Sequence, residues 1–302
     1  MTTRPARLRR SQLSVPGSSE KMIAKAAASD ADHVFLDLED AVAPSAKPGA
    51  RKTIVAGLNS LDWGKKTRCV RINDVTTSWC FEDVIEVVEG AGRNLDTIML
   101  TKAMRAADVQ FVELLLNQLE AKLKLTRPIG IEVLIEEAAG LQNVEAIAAS
   151  SPRLEALIFG MGDYSASQQM NLRNWGSDGY PGDIFHYPRF RIAMAARAAG
   201  LDPVDGPYAN FRNEEGYRRE ARWAQMLGFV GKWAIHPAQI APALEIFSPS
   251  AEEVTRAREL ATAYDKALAE GIGSVSVNGI MVDAASIRII MNTVRKAELI
   301  GL

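Results

Sequence analysis

Short, β-branched apolar runs alternate along this chain with longer stretches whose apolar positions recur every three or four residues. The runs are QLSVP (12–16), HVFLDLE (33–39), RCVRIN (68–73), TIMLTK (97–102), IGIEVLIE (129–136), ALIFG (156–160), DPVDG (202–206) and GKWAIHP (231–237). Helix-period segments such as SEKMIAKAAAS, DVIEVVEGAG and AADVQFVELLLNQLEAKL lie between them. Near-continuous apolar strands interleaved with helices predict a parallel sheet covered by helices. Eight such units in about 250 residues predict an α/β fold of the (β/α)8 TIM-barrel type. A doubly wound open sheet is the alternative.

The pattern changes after residue 249. A helix (AEEVTRARELATAYDKALAEG) precedes two apolar runs, SVSV and IMV, joined by Asn278-Gly279, and a last helix (ASIRIIMNTVRKAEL) follows. Asn-Gly between such runs predicts a type I′ hairpin, because both residues tolerate positive φ. Asp283 then stands where aspartate often caps a helix. No linker rich in Pro, Gly or Ser frees this tail. The expected division is a barrel over 1–249 and an extension over 250–302 that packs on a barrel, its own or a neighbour's. The least regular stretch, QQMNLRNWGSDGYPGD (168–183), follows strand six, where long barrel loops serve active sites.

Composition narrows the function classes. With 302 residues, 47% hydrophobic and 24% charged, the chain can bury a full core. Its net charge of −2 offers no long-range attraction to nucleic acid or an anionic membrane. No apolar run approaches the ~18 residues of a membrane span, and no signal peptide is recognisable. A soluble, cytoplasmic protein is expected, with no nucleic-acid or membrane partner. Cys69 and Cys80 form neither a disulfide framework nor a metal pattern, and Cys69 reads as core. Arg4, Arg7, Arg9 and Arg10 have no acid among them and are expected to form an ordered arm facing phosphate or solvent.

In a barrel, side chains at the C-terminal strand ends face the active site. Those ends carry Asp37, Glu39 and Asp40, then Arg71, Lys102, Glu136, Asp163, Asp205 and His236. Such a ring reads as a polar site above an apolar barrel. Glu136 and Asp163 close successive strands, about 4.8 Å apart. Their carboxylates could share a hard cation such as Mg²⁺, leaving positions for water and substrate; alternatively, each caps the helical segment after it. Arg71 suits a carboxylate or an enolate oxygen through two-point hydrogen bonding, or an ion pair with Glu39 or Asp40. Lys102, among so many acids, is expected to stay protonated and structural rather than form a Schiff base. His33 and His186 read as incidental, and His236 faces the site through its backbone as much as its ring. GMGDYS (160–165) approaches a dinucleotide motif, but Ser165 fills its third position and Asp163 would repel a pyrophosphate. No G-x-S-x-G, Walker A, H-E-x-x-H or C-x-x-C motif occurs.

The strings FLDLEDAVAPSAK, VRIN, IEVLIEEAAGLQNVEAIAASSPRLEALIFGMGDYSAS, PVDGP, GKWAIHPAQI and VDAASI resemble the malyl-CoA lyases. These belong to the citrate lyase β-subunit-like branch of the HpcH/HpaI aldolase superfamily. The resemblance runs from about residue 10 to the C-terminus. It implies Mg²⁺, with Mn²⁺ as a substitute, held by Glu136 and Asp163, and an Arg71 that contacts substrate and stabilises the enolate oxygen. It implies substrate contacts at Gly162, Asp163, Ile235 and His236, and a CoA contact at Lys25. Ser14 and Ser19 fall at CoA-facing positions where the family carries an aromatic residue and an arginine. Asp283 is implied as the catalytic acid or base, delivered by an adjacent subunit, with 250–302 packed on that neighbour in a homotrimer or homohexamer with shared sites. The implied reaction is a reversible Claisen-type cleavage of an acyl-CoA thioester. Malyl-CoA would give acetyl-CoA and glyoxylate, and β-methylmalyl-CoA would give propionyl-CoA and glyoxylate. The departures at Ser14, Ser19 and Thr101, and a shorter loop after Met170, leave another 2-oxo acid open, with citramalyl-CoA and pyruvate the nearest. The same motifs would also suit a malyl-CoA thioesterase, or a subunit of a citrate-lyase-like complex.

Overall fold

The computed structural model describes residues 4–172 and 182–302. All eight expected strands form: β1 (Ser11–Pro16), β2 (His33–Asp37), β3 (Thr67–Ile72), β4 (Thr97–Leu100), β5 (Gly130–Ile135), β6 (Leu154–Phe159), β7 (Asp202–Asp205) and β8 (Gly231–Ala234). They run parallel in sequential order, and β1 pairs with β8 through Ser11↔Lys232, Gln12↔Trp233 and Leu13↔Ala234. That pairing closes the barrel and removes the open-sheet alternative.

Alternate strand residues face the axis, where Phe35, Cys69, Met99, Leu134, Ile158, Val204 and Trp233 form one buried cluster. Cys69 is therefore core, as expected. Two residues further along each strand, the same parity brings Asp37, Arg71, Thr101, Glu136, Gly160, Gly206 and Ile235 to the C-terminal rim. The opposite faces of the strands meet the helix layer, which includes Glu20–Ala27, Lys47–Ser60, Cys80–Ala91, Ala106–Leu123, His186–Ala198 and Glu214–Met226. The segment after β5, read as one helix from the sequence, breaks at Asn143 into Ala138–Gln142 and Val144–Ala148.

Two arginines of the basic N-terminal arm, Arg9 and Arg10, turn onto acids rather than phosphate or solvent. Arg9 is buried at the N-terminal end of the barrel and reaches Glu132 (3.2 Å), Glu155 (2.5 Å) and Asp202 (2.9 Å). Arg10 forks onto Asp32 with two bonds of 2.7 Å. His33 is not incidental either: its Nε2 lies 3.0 Å from Glu132, to which Gln12 also donates at 3.1 Å. Burial alone would raise the Glu132 carboxyl, but His33 and Arg9 hold it well below the usual carboxylate range. The arginines supply the counter-charges that buried acids need, which a count of local charge along the arm does not show.

A second compact unit comprises Glu245–Leu302 with Ala6–Leu8. Its first helix, Ala251–Ala269, starts with a capping box in which Ser250 and Glu253 bond each other's backbone N–H groups. The hairpin β9 (Ser274–Val277) and β10 (Ile280–Asp283) turns at Asn278 and Gly279, with φ of +51° and +78°. Those values are the two positive dihedrals of the expected turn. Val282 is buried against Leu260 and Tyr264, and the helix Ser286–Ile300 follows.

Candidate active site

Arg71 and Asp37 are register partners on β3 and β2, both facing the axis. The guanidinium donates through Nε and Nη2 to the two Asp37 oxygens at 2.7 and 2.6 Å, and its Nη1 lies 3.2 Å from Glu39. Below it, the rings of Phe35 and Trp233 lie 5.8 and 5.6 Å from Cζ, within cation–π range. Asp37 also accepts the N–H groups of Glu39 and Ala41. Burial opposes its charge, yet Arg71 and these N–H groups hold its carboxyl below the usual value. The ion-pair expectation is thus right for Glu39 and wrong for Asp40, and it missed Asp37. Period-two counting from Phe35 would have found it.

A buried lysine pins the loop after β2. Lys47 donates from Nζ to Leu38 O (2.7 Å), Glu39 O (2.8 Å) and Asn73 Oδ1 (2.7 Å), while Asn73 is held by Asp83. Sequence reasoning passed over Lys47. The available signal was a cation at a helix start, where the dipole disfavours it.

Glu136 follows β5 and is buried; its Oε1 accepts the N–H of Lys102 at 2.9 Å. Lys102 adopts φ +51° and bonds Glu39 through Nζ, with Asp40 3.8 Å away. Burial works against its charge, but Glu39, Glu136 and Asp40 raise its pKa, so it stays protonated as expected. Gly160 closes β6 against Glu136: a Cβ there would sit 2.5 Å from the Glu136 Cβ and 2.6 Å from Oε2, so only glycine fits. Asp163 lies half-buried in the first turn of Met161–Ser167. Burial first, and then the Asp163 charge, push the Glu136 carboxyl up to about 8. Neither acid makes the helix-capping bond considered as the alternative. Two neighbouring carboxylates, one of them costly to ionise without a counter-charge, are an all-oxygen donor set that fits a hard divalent cation. Among the described residues, the three-ligand group is instead His33, Cys69 and Glu132 at the barrel's other end, where Glu132 already serves Arg9, Gln12, His33 and Thr97.

Asp205 leaves the predicted ring. Because Val204 faces the axis, the next residue faces the helix layer, where Asp205 is buried and bonded by Arg189 (2.9 Å) and Lys232 (2.5 Å). His236 stacks on Phe211 with centroids 4.6 Å apart, and its Nδ1 accepts the Ala238 N–H at 3.2 Å. Ile235 is exposed past the end of β8 and donates its N–H to Gln239. Gly162 is exposed, with open space where a Cβ would stand. Ser14 is half-buried on β1 opposite Phe35. Ser19 caps the helix Glu20–Ala27 by accepting the Met22 N–H, and Lys25 is exposed in that helix's last turn. Of the expected active-site loop, residues 173–181 lie outside the described residues. In the second unit, Asp283 Oδ1 accepts from Ala285 N (3.1 Å), Ser286 N (2.8 Å) and Ser286 Oγ (2.8 Å). The Ser286 bonds lead in holding this carboxyl below its usual value. Its Oδ1 thus takes N–H groups at the entry to the helix Ser286–Ile300, although Asp283 itself closes β10 and the residue at the cap position, Ala285, makes no side-chain bond.

A closed parallel barrel with charged side chains gathered at its C-terminal strand ends is the arrangement of a TIM-barrel enzyme. Residues 10–237 match the HpcH/HpaI aldolase/citrate lyase family, and the chain belongs to it. It is similar to the L-malyl-CoA/beta-methylmalyl-CoA lyase of Cereibacter sphaeroides, at 45% identity over 98% of this chain and 97% of that one. The (3S)-malyl-CoA thioesterase of the same species is 36% identical over 97% and 95%. Among solved structures, the protein CitE of Mycobacterium tuberculosis, in complex with magnesium, acetoacetate and coenzyme A, has a TM-score of 0.76 and 30% identity. That match covers 95% of this chain and 97% of CitE. No helix among the described residues is long and apolar enough to cross a membrane.

Proposed function

We propose that the chain is a divalent-metal-dependent carbon–carbon lyase that cleaves L-malyl-CoA to acetyl-CoA and glyoxylate, and β-methylmalyl-CoA to propionyl-CoA and glyoxylate. The observation that carries this reading is the meeting, at one rim, of Glu136 and Asp163 with an Arg71 held by Asp37. The 45%-identical relative supports the substrates, and the magnesium in the CitE complex supports the metal.

Glu136 and Asp163 are the residues that would hold Mg²⁺ or Mn²⁺. Bound there, the ion supplies Lewis-acid stabilisation of oxygen charge on the 2-oxo acid half of the substrate. As the C2–C3 bond breaks, the C3 hydroxyl loses its proton to solvent and becomes the carbonyl of glyoxylate, while the bond's electron pair passes into the thioester, whose oxygen gains charge as an enolate. Arg71 is placed to meet that charge, since Asp37 and two aromatic rings fix its plane. The C2 carbon then needs a proton, or in condensation must lose one. Asp283 from an adjacent subunit is assigned that transfer. Gly162, Ile235 and His236 are assigned to the substrate, and Ser14, Ser19 and Lys25 to CoA.

The test is a panel of malyl-, β-methylmalyl- and citramalyl-CoA with Mg²⁺, the products identified by mass spectrometry. Glyoxylate with acetyl- or propionyl-CoA is expected. Malate with free CoA would select the thioesterase reading that the 36%-identical relative favours. Pyruvate would select citramalyl-CoA. No turnover of free thioesters by the pure chain would point to a subunit of a larger complex.

A further inference from the structure

We propose that Lys102 is a positioning residue that sets both halves of the site, fixing Glu136 through its backbone N–H and Arg71 through the Glu39 carboxylate. The proposal rests on the lyase reading only for its kinetic test. Lys102 stands two residues beyond β4 with φ +51°, a left-handed conformation that strains any residue bearing a Cβ. Nothing local calls for it, since neither Asn nor Gly occupies the position. The conformation has two consequences instead. It directs the Lys102 N–H onto Glu136 Oε1 at 2.9 Å. It also lets the side chain reach back across the rim to Glu39 Oε1.

Glu39 is thus a bridge between two cations, with Oε1 on the Lys102 ammonium and Oε2 3.2 Å from Arg71 Nη1. An arginine and a free carboxylate prefer a two-point pairing. Without the ammonium, Oε1 would be released to turn to Arg71 beside Oε2, which also accepts the Asp40 N–H at 3.0 Å, while Asp37 already grips the guanidinium along its other edge. The guanidinium would then be enclosed by carboxylates on two edges, and a substrate oxygen would lose its donor. By occupying Oε1, Lys102 limits Glu39 to a one-point contact. It touches carboxylates and no reacting atom, so it positions rather than catalyses.

Backbone and side chain separate by mutation. Lys102→Gly keeps the N–H and relieves the strained φ but removes the ammonium, whereas Lys102→Arg keeps a cation. Thermal melts of both variants should match or exceed wild type for Gly and stay near it for Arg. With malyl-CoA, Lys102→Gly should lose on the order of 10–10² in kcat, with little change in KM or in the Mg²⁺ concentration required. Lys102→Arg should recover most of that loss. Unchanged kcat in the Gly variant, or equal losses in both, overturns the proposal. A crystal structure of Lys102→Gly decides independently of any reaction. Glu39 should turn both oxygens to Arg71, and an unmoved Glu39 and Arg71 would sink the idea even if the lyase assay succeeds. An inactive wild type would remove the lyase reading while leaving this structural test standing.

Discussion

Arg71→Lys separates electrostatics from geometry at the centre of the site. The native guanidinium makes two charge-assisted bonds of 2.7 and 2.6 Å to Asp37 and lies over Phe35 and Trp233. A lysine keeps the charge but offers a point contact on a flexible stem, with no plane to share between Asp37 and a substrate oxygen. Losing one charge-assisted bond costs about 1.5–3 kcal/mol. At roughly 2–4 °C per kcal/mol for a domain this large, the melting temperature should fall by about 3–12 °C. Arg71→Ala, which leaves Asp37 buried and unpaired, should cost more, about 3–5 kcal/mol. On the role proposed for Arg71, the kinetic loss should be larger than stability explains, about 10²–10³ in kcat for Arg71→Lys, because a donor to the enolate oxygen would be gone. The sign of the pH dependence follows from Asp37. Its folded pKa is depressed, so the pair contributes stability above the ordinary Asp range and loses it as pH falls through the folded value. The stability gap between wild type and Arg71→Ala should therefore narrow in acid. Parallel kcat measurements and thermal melts separate the two effects. A near-normal kcat with a lowered melting temperature would make Arg71 an ion-pair partner and nothing more.

Glu136→Ala and Asp163→Ala should each abolish turnover with the barrel's circular dichroism intact. Excess chelator should silence the wild type until Mg²⁺ or Mn²⁺ is returned, and full activity in chelator with no bound metal would remove the metal. Since Glu136 titrates at about 8 against an ordinary 4.5, the stability it contributes is present below 4.5 and lost as pH rises through 8. Metal-free protein should lose stability across that window, Glu136→Gln should abolish the slope, and a slope unchanged by the mutation would refute the assignment. Mixing inactive Asp283→Ala with inactive Glu136→Ala subunits should restore partial activity if the tail serves a neighbour's site; none after verified subunit exchange would place Asp283 in its own chain.

The barrel was legible because its signals are local and repeated. Each strand is an apolar run of the right length, and eight of them leave few other folds. The rim was legible where strand parity is easy to read, as for Arg71 and Glu136, whereas Lys102 is one residue out of that parity and reaches the rim through its positive φ. It failed at Asp205, which stands one residue past an axis-facing Val204 and so belongs to the helix layer with Arg189 and Lys232. One residue of offset reverses the face. Partners far along the chain were not legible at all. Arg9 finds Glu132, Glu155 and Asp202 across more than a hundred residues, and a basic arm read alone looks solvated. Lys47 is the same case at shorter range.

Asp283 shows why a structural role and a chemical one need not compete. Read from sequence, an aspartate opening a helix has an ordinary explanation; in the structure Asp283 closes β10 and its carboxylate binds the N–H groups that lead into the helix, whose cap residue is Ala285. Yet all three of its side-chain hydrogen bonds converge on Oδ1, and none among the described residues reaches Oδ2. These bonds hold the carboxylate's plane through one oxygen, and under the role proposed above the other would be the proton acceptor. The hairpin adds to this, since its Asn278-Gly279 turn and the burial of Val282 against Leu260 and Tyr264 hold Asp283 rigidly between strand and helix. A base that must meet a carbon acid at fixed distance needs that rigidity, and a flexible tail would lose it to entropy. Under the role proposed for Asp283, its bonds to Ala285 and Ser286 are what would hold the carboxylate ready for chemistry.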